Sequence, residues 1–186
     1  MALGASFGTV LAEARAGAAS GLEAIYRDLA PPVLGYLRGQ GAAEPEDLAS
    51  EVFVGVVRGL QRFSGDEPAF RAWVFSIAHR RLVDERRRLA RRREELTDPA
   101  EMSGFLSRAL VGDAEAEALE SLGSGVGKAL KALSPDQRAV VLLRILADLS
   151  VADVASILGK SQGAVKTLQR RALRSLVREL EREGVS

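Results

Sequence analysis

The sequence has no cysteine and a single histidine, His79. The first absence excludes disulfides, thiolate metal sites and thiol nucleophiles, and the second leaves no pair of imidazoles to share a metal. Aromatic residues are scarce at 5%, and the period-two alternation of a half-buried strand is hard to find. Ala, Leu, Arg and Glu dominate instead, so the composition predicts an all-α protein. No run of eighteen apolar residues is present, and the opening MALGASFGTVLAEARAG has no basic leader, so neither a membrane span nor a secretory signal is expected. A net charge of +1 says nothing by itself about polyanions, but the charges are segregated along the chain.

What is there is clearest near the end. The stretch LSVADVASILGKSQGAVKTLQRRALRSLVREL reads as two helices joined by a tight turn. A helix-turn-helix needs a small residue where its helices cross, a glycine at the turn and an apolar residue where the second helix packs back. Ala155, Gly159 and Val165 supply these in order. Val151, Val154, Ile157, Leu158, Leu168, Ala172, Leu173, Leu176 and Leu180 recur at three- and four-residue steps and form the predicted buried stripe. The opposite face of the second helix carries Ser161, Gln162, Lys166, Thr167, Arg170, Arg171 and Arg174. Ser161 is a candidate N-cap, and the other side chains can bond base edges or phosphates in a major groove.

The preceding chain divides at an acidic connector. Thr9 to Ala16 and Gly21 to Leu37 are predicted helices, with Pro31 and Pro32 expected to bend the second or to start a new turn. Tyr26 and Tyr36 fall on the apolar pattern and read as core. Glu44-Pro45-Glu46-Asp47 announces a helix whose inward stripe is Leu48, Val52, Phe53, Val56, Val57 and Leu60. Asp47, Ser50, Glu51 and Arg58 fall outside the stripe, which by pattern is a solvated face. A polar loop, Phe63 to Pro68, leads into a long helix from Ala69 to about Arg92, with Phe70, Trp73, Val74, Ile77, Ala78, Leu82 and Val83 inward. The arginine-dense end of this helix, beside an aromatic-bearing loop, suits a DNA backbone and unstacked bases. Glu94 to Gly127 is acidic, and Gly123-Ser124-Gly125 is expected to interrupt any helix there. Ser134-Pro135-Asp136-Gln137 then signals a helix running to about Leu146. The predicted organisation is therefore a domain over 1–93, a flexible linker over 94–127 and a helix-turn-helix domain over 128–186.

At this point the residues carry a resemblance. EPEDLASEVFVGVVRGLQRF followed by AFRAWVFSIAHRRLVDERRR is similar to the second conserved region of the extracytoplasmic-function group of bacterial sigma factors, the two-domain initiation subunits of RNA polymerase. LSPDQRAVVLLRILADLSVADVASILGKSQGAVKTLQRRALRSL resembles their fourth region, and the likeness spans about Thr9 to Arg182. The resemblance implies that Asp47, Leu48, Ser50, Glu51 and Phe53 dock on the β′ coiled coil of the polymerase core, the β flap being a second contact. It implies that Phe63, Ser64, Gly65 and Asp66 capture a base flipped from the −10 element. Phe70, Arg71, Trp73, His79, Arg80 and Arg87 then lie on the helix that reads and melts that element, and Ser161 to Arg174 form the recognition helix for the −35 element. It further implies a cytoplasmic protein with no catalytic site, metal or cofactor, whose partners are core polymerase, promoter DNA and an anti-sigma factor. The residues alone leave open a free-standing helix-turn-helix regulator; a nucleic-acid enzyme finds no carboxylate cluster of metal-site character to support it.

Overall fold

The computed structural model describes residues 3–95 and 124–182, all in helices and their connections, with no strand among them. After a 3-10 turn at Gly4–Ser6 come α1 (Phe7–Arg15), α2 (Ala19–Gly39), α3 (Pro45–Gly59) and α4 (Glu67–Glu95). The later group is α5 (Ser124–Lys131), α6 (Pro135–Ile145), α7 (Val151–Leu158) and α8 (Gln162–Arg182). The short helices that the sequence suggests around Met102 to Leu110 and Ala114 to Leu122 lie outside the described residues, as do most carboxylates of the acidic connector.

Two stretches that the sequence marks as bends or interruptions are helical. Helix α2 continues through Pro31 and Pro32 as one element and starts no new one. Its apolar stripe of Ile25, Leu29, Val33, Tyr36 and Leu37 is buried on both sides of the prolines, so tertiary packing offsets the lost backbone bonds. Helix α5 begins at Ser124, so Ser124 and Gly125, expected to interrupt a helix, lie inside one.

Caps fix the ends elsewhere. Ser134 with Gln137 and Ser150 with Asp153 both form reciprocal capping boxes, and the second had no counterpart in the sequence reading. Gly159 ends α7 at φ 61°, in the left-handed region that the tight turn requires. Tyr36, Phe70, Phe75, Leu82 and Val52 are fully buried among α2, α3 and α4; Val140, Leu143, Val154, Val165 and Ala172 are fully buried among α6, α7 and α8.

The buried residues of both groups form one continuous cluster. They meet where α6 crosses α2: a Cβ at Gly39 would stand 2.7 Å from Leu142, and one at Gly35 would stand 3.2 Å from Leu146. Two glycines four residues apart thus make a groove for two leucines four residues apart. Helix α7 also packs on α4.

Candidate functional site

The helix-turn-helix is built as its spacing required. Ala155 and Val165 are buried where α7 and α8 cross, and Lys160 pairs with Asp136 of α6 at 2.8 Å to hold the turn. Ser161 caps α8 by accepting the Ala164 N–H at 3.2 Å. Gln162, Lys166, Arg170, Arg171 and Arg174 are exposed, and Lys166, Arg170 and Arg174 descend the helix at four-residue steps as one cationic row. Thr167 differs: it is half-buried and its hydroxyl donates to the Gly163 carbonyl at 2.9 Å, so its hydrogen is used within the helix. Leu173, expected inward, is 45% exposed, although Ala172 beside it is fully buried and Leu176 packs against the core, so it lies off the covered face of α8.

The loop between α3 and α4 is held by its aromatic residue. The Phe63 ring stacks on Trp73 with centroids 5.3 Å apart and meets Phe70 edge-on at 5.0 Å. Ser64, Gly65 and Asp66 are exposed at the tip. Asp66 also has a structural duty, since its carboxylate accepts the Ala69 N–H at 2.9 Å and so caps α4.

Along α4 the predicted DNA residues separate into two sets. Phe70 is 1% exposed and belongs to the core. Arg71 is drawn into an ion pair with Asp28 at 2.9 Å, with Glu67 at 3.6 Å, so its guanidinium locks α4 to α2. His79 is half-buried, its Nδ1 lying 2.8 Å from the Tyr36 hydroxyl, and burial followed by the Arg86 charge lowers its pKa while Asp136 raises it. Arg80, Arg87, Arg88, Arg91 and Arg92 are exposed, whereas Arg86 donates to the Gln40 carbonyl. Beside it, Glu85 is buried and accepts the backbone N–H groups of Ala43 and Glu44; burial nevertheless raises its pKa. The end of α4 thus pins the turn before α3 while Arg87, Arg88, Arg91 and Arg92 face solvent.

The third surface lies on α2 and α3. Asp47, Ser50 and Glu51 are exposed, the Ser50 hydroxyl donating to the Glu46 carbonyl and Glu51 standing 3.8 Å from Arg81. Leu48 is 4% exposed, so it supports α3 from the core and offers no docking surface. Phe53 is half-buried, and its ring tilts against Tyr26 at 4.8 Å. Tyr26, expected in the core, is 56% exposed, and Val57 is 51% exposed. Tyr26 borders two clefts: one of about 590 Å³ with Arg27, Pro31, Leu34 and Ser50, and a smaller apolar groove of about 290 Å³ with Phe53 and Val57. No group of three or more His, Asp or Glu among the described residues could hold a metal.

A helix-turn-helix with a cationic outer row, joined to a helical body with an aromatic loop and an arginine-rich helix end, defines a two-part DNA-binding protein. Residues 25–92 match the family Sigma-70 region 2, and residues 125–176 match Sigma-70, region 4. The chain is 36% identical over 170 residues to the ECF RNA polymerase sigma factor BldN of Streptomyces coelicolor, covering 90% of this chain and 63% of that protein. It therefore spans less than two thirds of that relative's length. It is 32% identical over 143 residues to the ECF RNA polymerase sigma factor ShbA of Streptomyces griseus, covering 77% of this chain and 75% of that protein. With the ECF RNA polymerase sigma factor SigD of Mycobacterium tuberculosis it shares 30% over 181 residues, covering 94% and 84%. Among solved structures, CnrH in its complex with the cytosolic domain of CnrY has the same fold, with a TM-score of 0.61 at 23% identity, covering 93% of this chain and 96% of that one. The chain belongs to the extracytoplasmic-function group of sigma-70 family RNA polymerase sigma factors. It is accordingly an alternative sigma factor, a transcription initiation factor.

Proposed function

We propose that the two halves divide promoter recognition. Helix α8 reads the −35 element as duplex, presenting Gln162, Lys166 and Arg170 to base edges, with Arg171 and Arg174 on phosphates. The loop Phe63 to Asp66 receives a base extruded from the −10 element, and Arg80, Arg87 and Arg88 hold the backbone of the opened strand. Opening costs a few kcal/mol per unstacked step, and stacking on a pre-formed aromatic platform offsets it. The observation that carries this reading is the platform: the loop's own aromatic is already stacked on Trp73 beneath exposed Ser64, Gly65 and Asp66.

Core polymerase docks on the outer faces of α2 and α3. Asp47 and Glu51 meet cationic groups of the β′ coiled coil at the rim, and Tyr26, Phe53 and Val57 supply the apolar centre. The C-terminal domain contacts the β flap, and an anti-sigma factor is the opposing partner. In this reading the protein acts in the cytoplasm and catalyses nothing itself. Domains over 1–93 and 128–186, with a linker over 94–127, fit the same division of labour. No described helix is long and apolar enough to cross a membrane.

The test is run-off transcription by bacterial core polymerase on a promoter library from the source genome. Initiation is expected to require this chain and to fall when Asp47 and Glu51 are replaced by Ala. Silent core polymerase, with specific duplex binding by the chain alone, would favour the free-standing regulator.

A further inference from the structure

Helix α1 lies outside the Sigma-70 region 2 match, which begins at residue 25. Yet its last residue reaches the base of the loop between α3 and α4. The Arg15 guanidinium donates through Nε to the Leu60 carbonyl at 3.2 Å and through Nη2 to the Phe63 carbonyl. The contact is returned, because the Gln61 side-chain amide donates to the Arg15 carbonyl at 2.6 Å. Three bonds thus tie the end of α1 to both sides of a single 3-10 turn, Leu60–Arg62, which delivers Phe63 to its stack on Trp73. The guanidinium is half-buried and set against carbonyl oxygens, a charge-assisted arrangement that a flexible exposed arginine would not adopt.

We propose that Arg15 is a positioning residue for base capture: it fixes the Leu60 and Phe63 carbonyls, and through them the height and tilt of the Phe63 platform that an extruded base meets. The inference rests on the reading of the Phe63 to Asp66 loop as the base-capturing element. Fixed backbone on one side of the platform lets the base stack without first ordering the loop, so the effect falls on capture and not on duplex reading.

The test uses the full chain bound to core polymerase and a promoter fork carrying 2-aminopurine at each position of the non-template −10 strand in turn. The parent holoenzyme is expected to unstack the probe at one position, seen as a rise in fluorescence. Arg15→Ala is expected to weaken that fork by about tenfold, the scale of losing hydrogen bonds from a charged donor, and to abolish the rise at that position. Binding of the −35 duplex by the same holoenzyme should not change. Arg15→Lys, which keeps the charge but can reach only one carbonyl, should fall between the two, and Gln61→Ala should weaken capture in the same direction without threatening the fold. Parent-like fluorescence and fork affinity in Arg15→Ala would overturn the proposal, as would equal losses on fork and −35 duplex. If the parent unstacks the probe nowhere, the base-capture reading itself fails, and the positioning role falls with it.

Discussion

Single side chains decide what the cationic surfaces can read. Lys166 and Arg170 are exposed on adjacent turns of α8, and each is expected to lose about 1–3 kcal/mol of −35 duplex binding on substitution by Ala if it reaches a base edge. Titration against the true and a scrambled duplex checks this, since equal losses on both would mean phosphate contact only. His79 is a different case, because its neighbours set a pH response. Burial and the Arg86 charge keep it neutral in the fold, with Asp136 opposing them, so its pKa lies below the ordinary 6.5. A depressed folded-state value means that stability is present above about pH 6.5 and lost as the pH falls through the lowered value. His79→Asn should therefore flatten the decline of melting temperature between about pH 7 and 5, as scanning calorimetry can follow. Histidine stood out in the sequence as a singleton, but its hydroxyl partner, Tyr36, is 43 residues away and left no local signal. The same holds for Arg71, whose pairing with Asp28 turned an expected DNA contact into a brace between helices.

At the scale of the element, α4 shows how one helix serves two masters. Its buried residues and the Arg71, Glu85 and Arg86 contacts hold α2 and α3, while Arg80, Arg87, Arg88, Arg91 and Arg92 remain in solvent. Replacing Arg87 and Arg88 with Ala should lower the slope of log affinity against log salt for opened promoter DNA by roughly 0.7 per lost phosphate contact. Arg86→Ala should instead lower melting temperature, because it releases the Gln40 carbonyl, with a smaller change in that slope. Periodicity and turn chemistry made much of this level legible. The caps at Ser134 and Ser161 and the Ala155, Gly159 and Val165 spacing each follow from steric or hydrogen-bonding rules that act within a few residues. Pattern could not separate a stripe that packs inside the chain from one left uncovered. Tyr26, Val57 and Leu173 satisfy the same helical spacing as the core and are nonetheless exposed, and two of them line the groove proposed for the polymerase.

For the whole molecule, the question is how the halves are joined. Helix α6 seats Leu142 and Leu146 in the groove left by Gly39 and Gly35 of α2, a fit that depends on the absence of side chains on one partner. Gly39→Leu has no room beside Leu142 and should part the halves: small-angle scattering should show a larger radius of gyration, while circular dichroism keeps the parent helix content. An unchanged radius would mean that the joint tolerates the added bulk. Sequence alone did not reveal this contact, since Gly35 and Gly39 carry no local sign of the leucines, more than a hundred residues away, that fill the space beside them. The joint is centred on apolar atoms, whereas the faces assigned to DNA are rows of lysine and arginine, and these respond to different properties of the solvent. Washing in concentrated salt should therefore strip bound nucleic acid from the purified protein and leave its two halves clasped.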